Sequence, residues 1–210
     1  MEQLRGRTAV VTGAAGGIGF AIAQALVREG AAVVLADLDE GAVQRQAEVL
    51  AGTAGHVHAV GVDVRDADAV ERLGRTAVER FGGLHLAVNN AGIVNRGRSW
   101  ELSLDEWRRV LDVDLWGVIH GVRAFVPRIL ASGEEGHVVN IGSMASVAPL
   151  AKLGPYTVAK HGVLGLSDVL RAELRAAGAP VGVSVVMPGA IKTGMNPYGS
   201  VTPEQVAANV

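Results

Sequence analysis

Thr8-Ala9-Val10-Val11-Thr12-Gly13-Ala14-Ala15-Gly16-Gly17-Ile18-Gly19 passes from a short apolar run into a cluster of glycines. A helical pattern follows directly and extends to Glu29. The first part reads as a buried strand, the last as a helix start, and the glycines fall at the junction. Glycine there permits a tight turn and lets backbone approach a pyrophosphate, while the helix end offers free N–H groups and a positive dipole. On spacing alone the loop serves either a nucleotide or a plain strand-to-helix turn. A third reading takes Thr8 to Val27, a run without charge after Arg5 and Arg7, as a signal or membrane segment. The glycines interrupt that run at its middle, so a strand and a helix are the better account.

Outward from this point the chain repeats the same alternation. Strands are expected at Thr8–Thr12, Ala32–Ala36, Val57–Val62, Leu84–Asn89, His137–Ile141 and Val181–Met187. Near-continuous apolar strands have both faces covered, as in a parallel sheet under helices. Helices are expected at Gly17–Glu29, Gly41–Leu50, Asp66–Phe81, Leu104–Ala131 and Tyr156–Ala176. Repeated β-α-β units of this kind build an α/β, doubly wound parallel sheet with helices on both faces. No composition shift divides residues 1–210, so one domain is expected. At the C-terminus, Thr202-Pro203-Glu204-Gln205 reads as a helix start with a Pro near its first position and a capping-box Gln. The sequence stops before that helix is established, so the C-terminal part is expected to be incomplete.

Composition narrows the function. Of 210 residues 49% are hydrophobic and 19% charged, which excludes a disordered chain. The net charge of −2 gives no argument for nucleic acid or an anionic membrane as partner. The Cys count of 0 excludes disulfides, thiolate metal sites and a cysteine nucleophile. It suits a reducing, cytoplasmic setting. His56 and His58 could share one strand face, but no third ligand is evident, and no metal is expected.

Two further positions carry chemistry. Asp37 ends the second strand, eighteen residues after Gly19. A carboxylate there accepts both hydroxyls of an adenosine ribose and repels a 2′-phosphate, favouring NAD over NADP. The alternative is a solvated loop acid beside Asp39 and Glu40. Tyr156 and Lys160 stand four apart and share a helix face. An ammonium near a phenol favours the phenolate, and a phenol so tuned serves as general acid or base. By itself the pair also reads as ordinary surface. Ser143, just after the fifth strand, adds a hydroxyl able to bond the same substrate oxygen.

Together these residues resemble the short-chain dehydrogenases/reductases, NAD(P)-dependent oxidoreductases on a Rossmann-type sheet. The likeness runs from about Gly6 to Thr193. It rests on Thr12-Gly13-x-x-x-Gly17-x-Gly19, Asp63-Val64, Asn89-Asn90-Ala91-Gly92, Ser143, Tyr156-x-x-x-Lys160, and Pro188-Gly189 with Thr193. It implies a cofactor site of Gly13, Gly17, Ile18, Gly19, Asp37, Asp63, Val64, Asn90, Ala91, Gly92, Tyr156, Lys160, Pro188, Gly189, Ile191 and Thr193. Within it, Asp63 and Val64 would lie against the adenine, and Asn90, Ala91 and Gly92 would run under the cofactor. Lys160 would hold the nicotinamide ribose, and Ile191 and Thr193 the carboxamide. The implied catalytic set is Ser143, Tyr156 and Lys160, acting on a small-molecule secondary alcohol or ketone.

The pattern departs from the family in two ways. Asp114 stands where the family often has Asn, whose main-chain carbonyl is thought to hold a relay water. Asp keeps that carbonyl but adds a buried charge near Lys160, and it is not assigned as catalytic. The family's substrate-covering stretch after Thr193 and its final strand are also missing. These departures keep open an alternative, a nucleotide-binding sensor or inactive subunit without turnover. Finally, Val113 and Trp116 fall off the stripe of Leu104, Leu111, Val118, Val122 and Phe125. A helix apolar on two sides needs two partners. With the family's habit of pairing through this helix and the next, a homodimer or homotetramer is expected.

Overall fold

A computed structural model describes residues 3–52, 56–191 and 193. Six strands alternate with helices: β1 Thr8–Thr12, β2 Ala32–Asp37, β3 Val57–Gly61, β4 Leu86–Asn89, β5 Gly136–Ile141 and β6 Val181–Val186. All pairings are parallel, in the order β3-β2-β1-β4-β5-β6. The order reverses beside β1. Ligands of doubly wound sheets bind at such a switch point, beyond the carboxyl ends of the strands.

The side-chain period of two divides the core. On one face Val11, Val33, Leu35 and Val88 pack with Ala23, Leu26 and Val27 of α1 (Gly17–Arg28) and Val43 and Leu50 of α2 (Glu40–Ala51). On the other, Val10, Val34 and Ala87 pack with Val70, Leu73 and Ala77 of α3 (Ala67–Phe81) and Phe125 and Ile129 of α5 (Gly117–Ala131). Leu170 and Leu174 of α6 (Gly154–Ala176) join this second cluster. Between β4 and β5 a chain of polar groups is buried. Asn89 Nδ2 donates to Asn140 Oδ1 at 2.8 Å, Asn140 Nδ2 to Ser167 Oγ at 2.9 Å, and Ser167 Oγ to Val163 O at 2.6 Å.

The expected single helix from Leu104 to Ala131 is three pieces. α4 (Leu104–Leu111) opens on a capping box in which Ser103 and Glu106 satisfy one another's backbone. A π-helical turn at Asp112–Trp116 follows, and α5 continues from it. The wider turn changes the phase of the helix, so residues before it do not extend the stripe after it. Leu104, expected on the inner face with Val118 and Phe125, is 70% exposed. Val110 is buried in its place, and Val113 packs against the core. The off-stripe position of Val113 is thus an effect of the π turn rather than a sign of a second partner. Trp116 remains exposed. The strands otherwise fall where expected, with ends one or two residues shorter at β3, β4 and β6. The helix start at Thr202 lies outside the described residues.

No helix among the described residues is long and apolar enough to cross a membrane.

Candidate active site

The glycine loop is shaped by close contacts that no side chain could share. Gly13 and Gly17 have φ of +65° and +55°. A Cβ on Gly19 would lie 2.2 Å from Gly13 O and 2.5 Å from Asn90 Nδ2. The loop is tied down from both sides. Asn90 Nδ2 donates to Thr12 O at 2.8 Å and to Gly13 O at 3.1 Å, while Thr12 Oγ1 accepts from the N–H groups of Asn90 and Ala91. On the far side Asp37 Oδ2 accepts from Ala15 N at 2.9 Å, and Gln46 Nε2 donates to Ala15 O. The loop is therefore held open by its neighbours.

α1 is left unneutralised at its start. α2, α3 and α4 are capped by Asp39, Asp66 and Ser103, whereas Gly16 caps α1 with no side chain and no acid lies in its first turn. Free N–H groups and an uncompensated dipole end are what a pyrophosphate requires. Space over Gly16 is open, with nothing within 4 Å of a Cβ placed there. Thr193 stands across the loop, since a Cβ on Gly17 would meet its Cγ2 at 3.2 Å.

Beside the loop is a cavity of about 310 Å³. It gathers Gly13, Asp37, Asp63, Val64, Ala91 and Gly92, all cofactor candidates from the sequence. Arg65 and Arg109 also line it, and neither was singled out by sequence reasoning. Arg65 forks onto Asp63, with Nη2 2.6 Å from Oδ2 and Nε 3.0 Å from both oxygens. That hydrogen bond holds the Asp63 carboxyl below the usual carboxylate range. A larger cavity of about 460 Å³ lies between α3 and α5, lined by Arg75, Pro127, Arg128 and Ser132. It opens at the amino ends of β4 and β5, the end of the sheet opposite the glycine loop, and holds none of the candidate residues.

The catalytic candidates converge on the first turns of α6. Lys160 is only 3% exposed, which for a lysine demands partners. Its Nζ donates to Ile141 O at the end of β5, 3.0 Å away, and lies 5.6 Å from the centre of the Tyr156 ring. Ser143 begins a 3₁₀ turn, Met144–Ser146, its Oγ accepting from Ala145 N at 3.1 Å. Ser146 Oγ accepts from Ser143 N and donates to Lys160 O at 2.9 Å, locking the serine turn onto the helix that carries the tyrosine. Ser146 went unassigned in the sequence. Its signal was the Ser-x-x-Ser spacing of a cap. Ile141 O could not be found from residue types, because it is main chain.

Asp114, on the π turn, is 0% exposed. Its Oδ1 accepts from Ile93 N at 2.8 Å. Its Oδ2 faces Lys160 Nζ at 3.2 Å, a charge contact in which it accepts no well-aligned hydrogen bond. Burial pushes the Asp114 carboxyl above its ordinary range, against the pull of Lys160. Pro188 O accepts from Met144 N at 3.0 Å, which sets the 186–189 segment beside the serine turn. Ile191 is exposed and Gly189 has open space around it.

A parallel sheet in this order, with an uncapped glycine-rich first helix end at the switch point, is a Rossmann-type nucleotide-binding frame. The chain belongs to the short chain dehydrogenase family, whose description matches residues 7–202. It is 41% identical over 209 residues to a 1-deoxy-11-beta-hydroxypentalenate dehydrogenase of Streptomyces avermitilis, covering 99% of this chain and 76% of that one. It is 43% identical over 183 residues to the probable oxidoreductase EphD of Mycobacterium tuberculosis, where it spans 87% of this chain but 31% of the relative's length. A solved short chain dehydrogenase/reductase from Burkholderia phymatum, in complex with NAD, superposes with a TM-score of 0.91. The two are 37% identical, and the match covers 99% of this chain and 78% of that one. The family binds a nicotinamide cofactor, and the glycine loop, free helix end and adjoining cavity fit one.

Proposed function

We propose that this protein transfers a hydride between a nicotinamide cofactor, NAD in preference to NADP, and a secondary alcohol or ketone. The observation that carries the reading is the buried Lys160, whose ammonium is fixed by Ile141 O beside the Tyr156 ring. A lysine buried there for packing alone would be costly, whereas one that stabilises a phenolate does chemical work.

The cofactor supplies the hydride acceptor or donor. The chain supplies the proton transfer. In the oxidising direction the Tyr156 phenolate, which the Lys160 ammonium stabilises beforehand, takes the hydroxyl proton and becomes the neutral phenol. Ser143 holds the substrate oxygen toward the phenol, and its own turn is held to α6 by Ser146. In the reducing direction Tyr156 returns the proton. Asp37 supports the NAD preference, because a carboxylate at the end of β2 repels a 2′-phosphate. The NAD bound by the Burkholderia structure is in keeping with it. The remaining contacts, Gly13, Gly17, Ile18, Gly19, Asp63, Val64, Asn90, Ala91, Gly92, Pro188, Gly189, Ile191 and Thr193, form the cofactor cradle in the same reading. The enzyme is taken as cytoplasmic and as a homodimer or homotetramer, the exposed Trp116 at the end of the π turn being the residue to examine first.

A second reading, a nucleotide-binding subunit without turnover, is favoured by one observation: the Asp114 carboxylate sits against the catalytic lysine. The test that separates the two follows NADH absorbance with a panel of secondary alcohols and ketones. The parent chain should turn over at least one member. Tyr156→Phe should lose that turnover while binding NADH nearly as well. Full turnover by the Phe variant would refute the assignment of the proton acceptor.

A further inference from the structure

The contact between Asp114 and Lys160 has no part in the scheme above, yet both side chains are almost wholly removed from water. The carboxylate is placed deliberately. The π turn puts it on the inward side of its helix, and Ile93 N fixes one oxygen. Gly92 has no side chain to separate it from the lysine, for a Cβ there would lie 2.9 Å from Asp114 Oδ2 and 3.5 Å from Lys160 Nζ. The ammonium thus touches the aspartate at 3.2 Å and has the tyrosine ring centre 5.6 Å away.

We propose that Asp114 is a positioning residue for proton transfer, its charge drawing the Lys160 ammonium into the contact between the π turn and α6 and weakening the field that ammonium exerts on the Tyr156 phenol. The proposal rests on the hydride-transfer reading and adds a control on its pH dependence. The groups that face Asp114 are few. α6 presents Lys160 and, beyond it, Tyr156. The segment after β4 presents Ile93 N and Gly92, and β5 contributes Ile141 O through the lysine, none of which titrates. On its own helix Asp112 acts on Arg65, and His120 Nδ1 bonds Val64 O. The charge that acts on Asp114 is therefore that of Lys160.

The expected size follows from the distances. With Nζ 3.2 Å from the carboxylate and 5.6 Å from the ring centre, the carboxylate lies within about 9 Å of the ring, close enough to move a titration by about one pH unit.

The sequence has 2 tyrosines, Tyr156 and Tyr198, so a Tyr198→Phe chain reports the Tyr156 phenol alone by near-ultraviolet absorbance. In that background Asp114→Asn, which keeps the shape, should ionise the phenol at a pH about one unit lower. The smaller Asp114→Ser should move it the same way, which keeps the test open should one variant fold poorly. The rising limb of alcohol oxidation against pH should shift by the same amount, giving up to about tenfold more activity below the limb. A phenol midpoint that stays put, or rises, in the folded variants would overturn the role of Asp114. That failure is separate from failure of the function itself, which is read by turnover of the parent and of Tyr156→Phe.

Discussion

Replacing Lys160 with methionine isolates the ammonium, because the aliphatic stem that packs in α6 is largely kept. What is left is Asp114, 0% exposed, without its counter-charge. Breaking a buried pair by removing one partner costs about 3–5 kcal/mol. Here the cost depends on pH in a definite direction. Burial already raises the Asp114 carboxyl above its unfolded value while Lys160 lowers it, and the substitution removes the lowering influence. A group whose folded value is raised stabilises the fold below the unfolded value, and that contribution is lost as pH rises through the folded value. The variant therefore takes up a proton at Asp114 rather than burying a bare charge. The loss relative to the parent should grow by up to about 1.4 kcal/mol per pH unit once pH passes the raised folded value that Asp114 has in the parent. For a domain of this size the full loss of about 3–5 kcal/mol is a fall in Tm of roughly 6–20 °C. Thermal or denaturant unfolding of parent and variant below and above that pH measures the gap. A gap of constant size at every pH would refute the argument, since it would mean that the lysine contributes packing and not charge.

Three other outcomes are expected. Gly19→Ala forces a Cβ into Gly13 O and Asn90 Nδ2. It should cost about 1–3 kcal/mol of stability and abolish NADH binding as followed by fluorescence, and unchanged affinity would count against the loop as the pyrophosphate site. Asp37→Ala removes the proposed ribose acceptor together with the acceptor for Ala15 N and Asp39 N, so NAD affinity should fall more than NADP affinity. Equal losses would assign the residue to holding the loop only. His85 has its ring pushed below the usual histidine range, by burial first and then by Arg7, and its Nδ1 accepts from Thr8 N. A lowered folded value stabilises above the unfolded value of about 6.5 and is lost as pH falls through the folded one. His85→Asn should flatten part of the stability decline below about pH 6.5, and an unaltered slope would contradict that assignment.

The fold was legible because β1 and the loop after it carry two signals at once, a buried apolar run and a glycine cluster at its end. The cofactor candidates around Gly13, Asp37 and Gly92 were legible for the same reason, as each sits at a strand end where a periodic pattern stops. The π turn was not. It shows in the sequence only as a stripe that fails to stay in phase, and Val113 off the stripe was read as a second surface. Phase errors have two physical origins, an extra partner or an extra residue in the turn, and periodicity cannot separate them. Ser146, Arg65 and the carbonyl of Ile141 were also hidden. Their roles come from what lies next to them across the sheet, which neighbouring residues in the chain do not record.

The buried amides between β4 and β5 carry a consequence of their own. Asn89 and Asn140 are direct neighbours across the two strands, each flanked by residues of similar size and shape. Valines and alanines pack almost as well against one another after a slip of one place, whereas an amide moved by one place points through the other side of the sheet. The pair then acts as a key in a lock cut mostly from interchangeable teeth. It selects one alignment of β5 on β4, and with it the position of Ile141 O and of the serine turn that follows β5 at the far end of the sheet.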